Sequence, residues 1–152
     1  NNHIETFPPL PVGIEQVVAA YEERPLMPYP EQDFQKILDT LDAYQLRDHA
    51  YIAGEKDVLY TARKMAPDIP RCCLEGHMNF TIVEHALEYG CQKVQFCKNL
   101  TTQAMIDKAR ANGLICNLFW ADSAKEARAY MDIGIDCILT NNIGVVKAEL
   151  EE

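Results

Sequence analysis

Basic residues are scarce in this chain: 14 Lys and Arg stand against 23 Asp and Glu, a formal charge of −9 over 152 residues. A surface of that sign repels phosphate backbones and anionic headgroups, which excludes nucleic acid and membrane surfaces as expected partners. Long apolar runs are missing too. None approaches the roughly 18 residues of a membrane span, although hydrophobic residues make up 48% of the chain, enough for a sizeable core. Glycine is sparse, at seven residues. No Gly-rich phosphate loop occurs, so a dinucleotide or nucleoside triphosphate site of the usual kind is not expected. No Gly-x-Ser-x-Gly elbow marks a serine nucleophile. The four His residues form no metal-type pair on one helix.

The six cysteines do not read as a disulfide framework. Cys72, Cys73, Cys91, Cys116 and Cys137 fall in or beside expected strands, and Cys97 ends one. Neighbours such as Cys72 and Cys73 point to opposite faces of a strand, and no Cys-x-x-Cys exists. Buried, reduced thiols serving as small apolar side chains are expected, which favours a cytoplasmic setting. The chain opens Asn1-Asn2-His3 without Met and shows no leader, so the gene start is expected upstream.

What is present is a repeat. Tyr89-Gly90, Asn112-Gly113 and Ile133-Gly134 each close a helical stretch and precede an apolar run. The glycines lie 23 and 21 residues apart, the length of one strand, one helix and two loops. Gly just past a helix takes the left-handed conformation that ends it without steric cost. The period predicts a parallel βα repeat in a single domain. Strands are expected at 12–17, 49–53, 71–75, 93–97, 114–120 and 136–140, each followed by a helix. Thr101 or Thr102 is expected to cap the helix at 103–111, and Asp122 or Ser123 the one from Ala124. Six units build either an open doubly wound sheet or most of an eight-stranded barrel.

In either architecture the chemistry sits at the strand C-termini and the loops after them. Those positions are Glu15-Gln16, Gly54-Glu55, Glu75-Gly76-His77, Cys97-Lys98, Trp120-Ala121-Asp122 and Asn141-Asn142. The set is acidic, which suits a divalent cation. Glu15 lies within an apolar strand, costly unless paired or metal-bound; a solvent-facing edge is the plain alternative. Glu75 and His77 are either site residues or polar loop residues. Lys98 either holds a phosphate as a point charge or is a solvated helix-start lysine. Trp120, the single Trp, either walls a ligand pocket or packs in the core. Asn141 is either a site residue or part of a turn and cap.

Several segments resemble the glycerophosphodiester phosphodiesterase family. Leu10-Pro11-Val12-Gly13-Ile14-Glu15 is similar to its strand ending in Ile-Glu-x-Lys. Met65-Ala66-Pro67-Asp68-Ile69-Pro70 resembles a helix end in Ala-Pro-Asp-Ile-Pro. Gly113-Leu114 through Phe119-Trp120-Ala121-Asp122 resembles a strand running into Trp-Thr-Val-Asn, and Gly134-Ile135-Asp136 through Thr140-Asn141 its Gly-Val-Asp-x-Ile-x-Thr-Asp ending. The resemblance implies an incomplete TIM barrel, about six of eight strands. It implies a hydrolase that uses a divalent metal, Mg or Ca, to split glycerophosphodiesters into glycerol phosphate and an alcohol. Glu15 becomes a metal ligand, and Trp120, Lys98, Glu75, His77 and Asn141 become the substrate-binding set.

The chain also departs from the family. Val17 stands where the family has Lys, and Asn141 where it ends in Thr-Asp. The family's first two strands, with a His-Arg-Gly motif and two catalytic His residues, have no counterpart. This chain alone is therefore expected to be inactive. The alternative is a non-catalytic barrel fragment that binds a phosphorylated ligand or a protein. Its open barrel edges, at strands 12–17 and 136–140, predict pairing with a second copy or partial disorder near Asn1–Pro11.

Overall fold

The computed structural model describes residues 24–75 and 80–151. The expected strand at 12–17 lies outside them. Helix α1 (Glu31–Ala43) leads to a short 3-10 turn (Arg47–His49), then β1 (Ile52–Gly54), α2 (Lys56–Met65), β2 (Arg71–Cys73), α3 (Ile82–Glu88), β3 (Lys93–Cys97), α4 (Gln103–Ala111), β4 (Ile115–Phe119), α5 (Ala124–Asp132), β5 (Cys137–Leu139) and α6 (Ile143–Glu151). The strands form one sheet in the order β1-β2-β3-β4-β5, and each neighbouring pair is parallel. Sequential order decides between the two expected architectures. A doubly wound sheet reverses direction at a switch point; this one advances by one strand at a time, as a barrel does. No described helix is long and apolar enough to cross a membrane.

The three expected glycine stops hold. Gly90, Gly113 and Gly134 have φ of 64°, 75° and 114°. At each helix end the same pair of bonds recurs: Cys91 N–H to Ala86 O with Gly90 N–H to Leu87 O, Leu114 to Ala109 with Gly113 to Arg110, and Ile135 to Tyr130 with Gly134 to Met131. These bonds satisfy the last carbonyls of each helix and aim the chain into the next strand. Thr102 and Ser123 are the caps, accepting from Met105 N–H and Glu126 N–H. That leaves Asp122 for another task.

Strand ends are shorter than expected, for local reasons. His49 belongs to the 3-10 turn instead of a strand starting at 49, because Arg47 is held by Asp68 at 2.7 Å and Asp42 at 3.3 Å. The strand expected at 71–75 ends at Cys73, and Glu75 leaves the ladder for a partner on α3. On α1, Phe34 and Leu38 are buried as the helical period demands, but Ile37 and Tyr44 are exposed.

Alternation along the strands gives the sheet two faces. One packs against helices: Cys73, Val94, Phe96, Cys116 and Leu118 are fully buried there among Leu59, Ile82, Ala86 and Ile106. Full burial of one such large apolar side chain stabilises by about 1.5–3 kcal/mol. Gly54 permits the close approach of α2, since a Cβ there would come within 2.9 Å of Val58 Cβ. Cys72, Cys73, Cys91 and Cys116 are buried as expected, but Cys97 is half-buried and Cys137, on the last strand, is exposed; no cysteine among those described is in a disulfide, and burial pushes Cys72 up to about 12 and Cys91 and Cys116 to about 11. The other face carries Tyr51, Leu74, Gln95, Asn117, Phe119 and Leu139.

Candidate substrate site at the strand C-termini

The ends of β3, β4 and β5 bring three of the expected site residues into one connected group. Lys98 follows β3, Trp120 follows β4 and Asn141 follows β5. Lys98 N–H closes the β3–β4 ladder by donating to Phe119 O at 3.0 Å, which places its side chain beside the next residue. Lys98 Nζ sits 4.7 Å from the Trp120 ring centroid, a cation over an aromatic face. The same ammonium pairs with Glu126 at 2.9 Å. Lys98 is therefore not the simply solvated helix-start lysine that was one alternative: its charge has a carboxylate partner. That hydrogen bond to Glu126, aided by Asp122, raises the Lys98 pKa above the ordinary lysine value.

Asp122 is the residue whose role the sequence left between cap and loop. It receives Asn141 N–H at 2.8 Å, Thr140 Oγ1–H at 2.9 Å and Asn141 Nδ2–H at 3.3 Å. The Asn141 amide and the two side-chain donors hold its carboxyl below the ordinary aspartate value. Asp122 thereby fastens the loop after β5 to the loop after β4 and fixes where Asn141 stands.

Glu75 is placed differently. It lines the concave face, and its carboxylate meets α3, where Oε1 and His85 Nδ1 share a hydrogen bond at 2.5 Å with both side chains buried. A buried carboxylate needs such a partner. The sequence reading missed His85. The signal was present, since Ile82, His85, Ala86 and Tyr89 lie at one helical spacing, and His85 also stacks on Tyr89. Glu15 and His77 lie outside the described residues.

Two concavities border this end of the sheet. One, of about 440 Å³, lies on the concave face between Tyr51, Leu74, Gln95, Phe119 and Leu139. The other, of about 600 Å³, lies between α2 and α3 and includes Arg24, Lys56, Arg63 and His85. The second is basic, but Arg24 is held by Asp57 at 2.7 Å and Lys56 Nζ donates to Arg24 O. Among the described residues no three His, Cys, Asp or Glu side chains gather as a metal site. The donor set for a divalent cation is therefore not found among them.

No protein-family model matches the chain, and no curated protein matches it either. Solved structures do. A candidate glycerophosphodiester phosphodiesterase of Galdieria sulphuraria superposes with a TM-score of 0.72 at 17% identity, over 91% of this chain and 63% of that one. A glycerophosphodiester phosphodiesterase of Parabacteroides distasonis gives 0.68 at 14%, over 80% and 51%. The fold is that of the glycerophosphodiester phosphodiesterases. A phosphodiesterase of Oleispira antarctica, in complex with the product sn-glycerol-3-phosphate, gives 0.59 at 13%, over 64% and 40%. The chain spans 40 to 63% of the length of these three structures, and its sequential parallel sheet is the matching portion of a TIM-type barrel.

Proposed function

We propose that this chain is the substrate-binding portion of a metal-dependent hydrolase that splits glycerophosphodiesters into glycerol phosphate and an alcohol. The supporting observation is the group Lys98–Trp120–Asp122–Asn141. It gathers at the strand C-termini, the end of a barrel where chemistry is carried, within a fold shared with phosphodiesterases. In this reading Lys98 exchanges Glu126 for a phosphoryl oxygen of the ligand. The Trp120 ring walls the glycerol side, and Asp122 keeps Asn141 at the rim. Glu75 lines the neighbouring concavity, and His77 remains a substrate-binding candidate from the sequence alone.

Glu15 is the expected ligand of the Mg or Ca ion. One carboxylate does not hold such an ion tightly, because these cations take about six or more oxygen ligands. The described residues do not complete the set, so no step here runs through the metal. The 152 residues also carry no His-Arg-Gly motif. Loss of one general acid or base typically costs about 10²–10⁴ in rate, so the chain alone should bind without turning over. The absence of the family's catalytic His residues favours the second reading for this chain by itself, a non-catalytic barrel fragment that binds a phosphorylated ligand or a protein partner. The free edges expected at strands 12–17 and 136–140 leave association with a second copy as the expectation, checked by sedimentation velocity.

Isothermal titration with sn-glycerol-3-phosphate tests the binding claim: saturable heat that Lys98→Ala removes is expected, and no heat overturns it. A phosphodiesterase assay with Mg²⁺ or Ca²⁺ tests the rest. Full turnover by the 152-residue chain, lost in Glu15→Ala and His77→Ala, would show that it builds its own catalytic set.

A further inference from the structure

The concave face carries a row of polar side chains that nothing in the proposed site uses. Gln95 on β3 pairs in register with Asn117 on β4, and Asn117 with Cys137 on β5. The three therefore stand side by side on one face of the sheet. Gln95 and Asn117 are 6% and 1% exposed, yet Gln95 Nε2 and Asn117 Oδ1 have no hydrogen-bond partner among the described residues. Buried polar groups are ordinarily paired. Here a donor and an acceptor are left together, next to a thiol. Of the six cysteines, Cys137 is the exposed one. Burial first, then the neighbouring Cys72 and Cys137 thiols, raise the Tyr51 phenol above the ordinary tyrosine value, which agrees with a Cys137 sulfur on the concave side.

The other thiols are placed so that none completes a disulfide with it. Cys116, on the adjacent strand, points to the helices with Cys73 and Cys91. Cys97 and Cys72 share the concave face but lie on β3 and β2, two and three strands from β5. At about 4.8 Å per strand step both exceed the separation a disulfide spans, about 4.4–6.8 Å between Cα atoms. Oxidation of Cys137 within one chain therefore has no thiol to resolve it. What the two amides lack is one acceptor and one donor. A sulfenic acid on Cys137 supplies both: its O–H donates to Asn117 Oδ1, and its oxygen accepts from Gln95 Nε2, on the longer of the two side chains.

We propose that Cys137 is a site of reversible oxidation, converted by hydrogen peroxide to a sulfenic acid that Asn117 and Gln95 hold. The site is independent of the phosphodiester reading. In the step, the Cys137 sulfur attacks one peroxide oxygen. The S–O bond forms as the O–O bond breaks, the sulfur loses two electrons to the peroxide, and the thiol proton leaves with the departing oxygen as water. A small-molecule thiol reverses the change by taking the sulfur into a mixed disulfide, with release of water, and a second thiol then frees Cys137.

The test exposes the full, reduced chain to hydrogen peroxide, stops the reaction with catalase, and adds dimedone after increasing delays. Peptide mass spectrometry then reads which cysteine carries the adduct. Cys137 should be labelled even after a delay, and half-buried Cys97, whose register neighbour is Phe119, should not. Asn117→Leu and Gln95→Leu should each shorten the life of the trappable species by about 5-fold, the worth of one hydrogen bond. A second readout needs no variant at either amide. The oxidised native chain should melt about 2–4 °C higher than the reduced one, and Cys137→Ser treated alike should show no rise. Labelling of Cys97 as readily as Cys137 overturns the proposal. So does an adduct whose lifetime is the same in both Leu variants, or a melting temperature that falls on oxidation.

Discussion

The two faces of this sheet are made from the same strands and meet opposite fates. Phe96 and Leu118 point to the helices and are fully buried; Phe119, one residue further along β4, points the other way and is 46% exposed. Parallel sheets are ordinarily covered on both sides, so their strands read as continuous apolar runs. Here the helical side has its cover from α2, α3 and α4. The concave side is apolar at its mouth and polar at its floor, where Gln95 and Asn117 stand. One face therefore carries the stability of the chain, and the other is the face left open to solvent.

Mutations can break that comparison. Phe96→Ala, on the helical side, should cost about 3–5 kcal/mol, because it opens a cavity in packed core. Phe119→Ala should cost far less, under about 1 kcal/mol, because much of that ring already meets solvent. Chemical denaturation of both variants reads the difference; equal losses would mean that the concave side is covered as the helical side is. Next comes the buried pair. His85→Ala leaves the Glu75 carboxylate without that partner, and a loss of about 3 kcal/mol is expected. A loss below about 1 kcal/mol would show that the pair does not anchor α3 to β2.

Smaller effects sharpen the same contrast. Gly134→Ala should destabilise by about 1–2 kcal/mol, since φ is positive there and an added Cβ would meet Arg110 Cδ at 2.6 Å. Thermal melts of that variant and of Gly113→Ala, where a Cβ meets nothing within 4 Å, separate the backbone cost from the clash. The smallest effect is a titration. Asp122 has a lowered folded-state pKa, so its contribution is present above the unfolded value and is lost as pH falls through the folded one. The Asn141 backbone amide should report that loss at a pH below the ordinary aspartate value. A midpoint at or above that value would contradict the bonds drawn to Asp122.

The repeat was legible in the sequence because its punctuation is local. Three glycines close three helices through the same bonds, and Lys93–Cys97 spans the expected strand residue for residue. The sequential order of the strands was not legible, because periodicity reports an element and not its neighbour. Strand polarity alone brought Lys98, Trp120 and Asn141 to the same end of the sheet. Glu126, which takes the Lys98 charge, is 28 residues away, a distance over which no local pattern speaks. His85 could have been found from the helical face it shares with Ile82 and Ala86. Gln95 and Asn117 were also in view, as polar residues inside apolar runs, but a strand buried on both sides hides which face such a residue takes. Glu15 and His77 lie outside the described residues, and their part in the site stands as expected from the sequence.

The most direct test follows the resonances of single residues while sn-glycerol-3-phosphate is added to the chain. The Trp120 indole N–H should shift saturably, with the Asn141 amides moving at the same midpoint and both responses lost in Lys98→Ala. Shifts confined instead to Tyr60, Arg63 and His85, around the basic cavity between α2 and α3, would contradict the account and move the ligand to the helical side of the sheet.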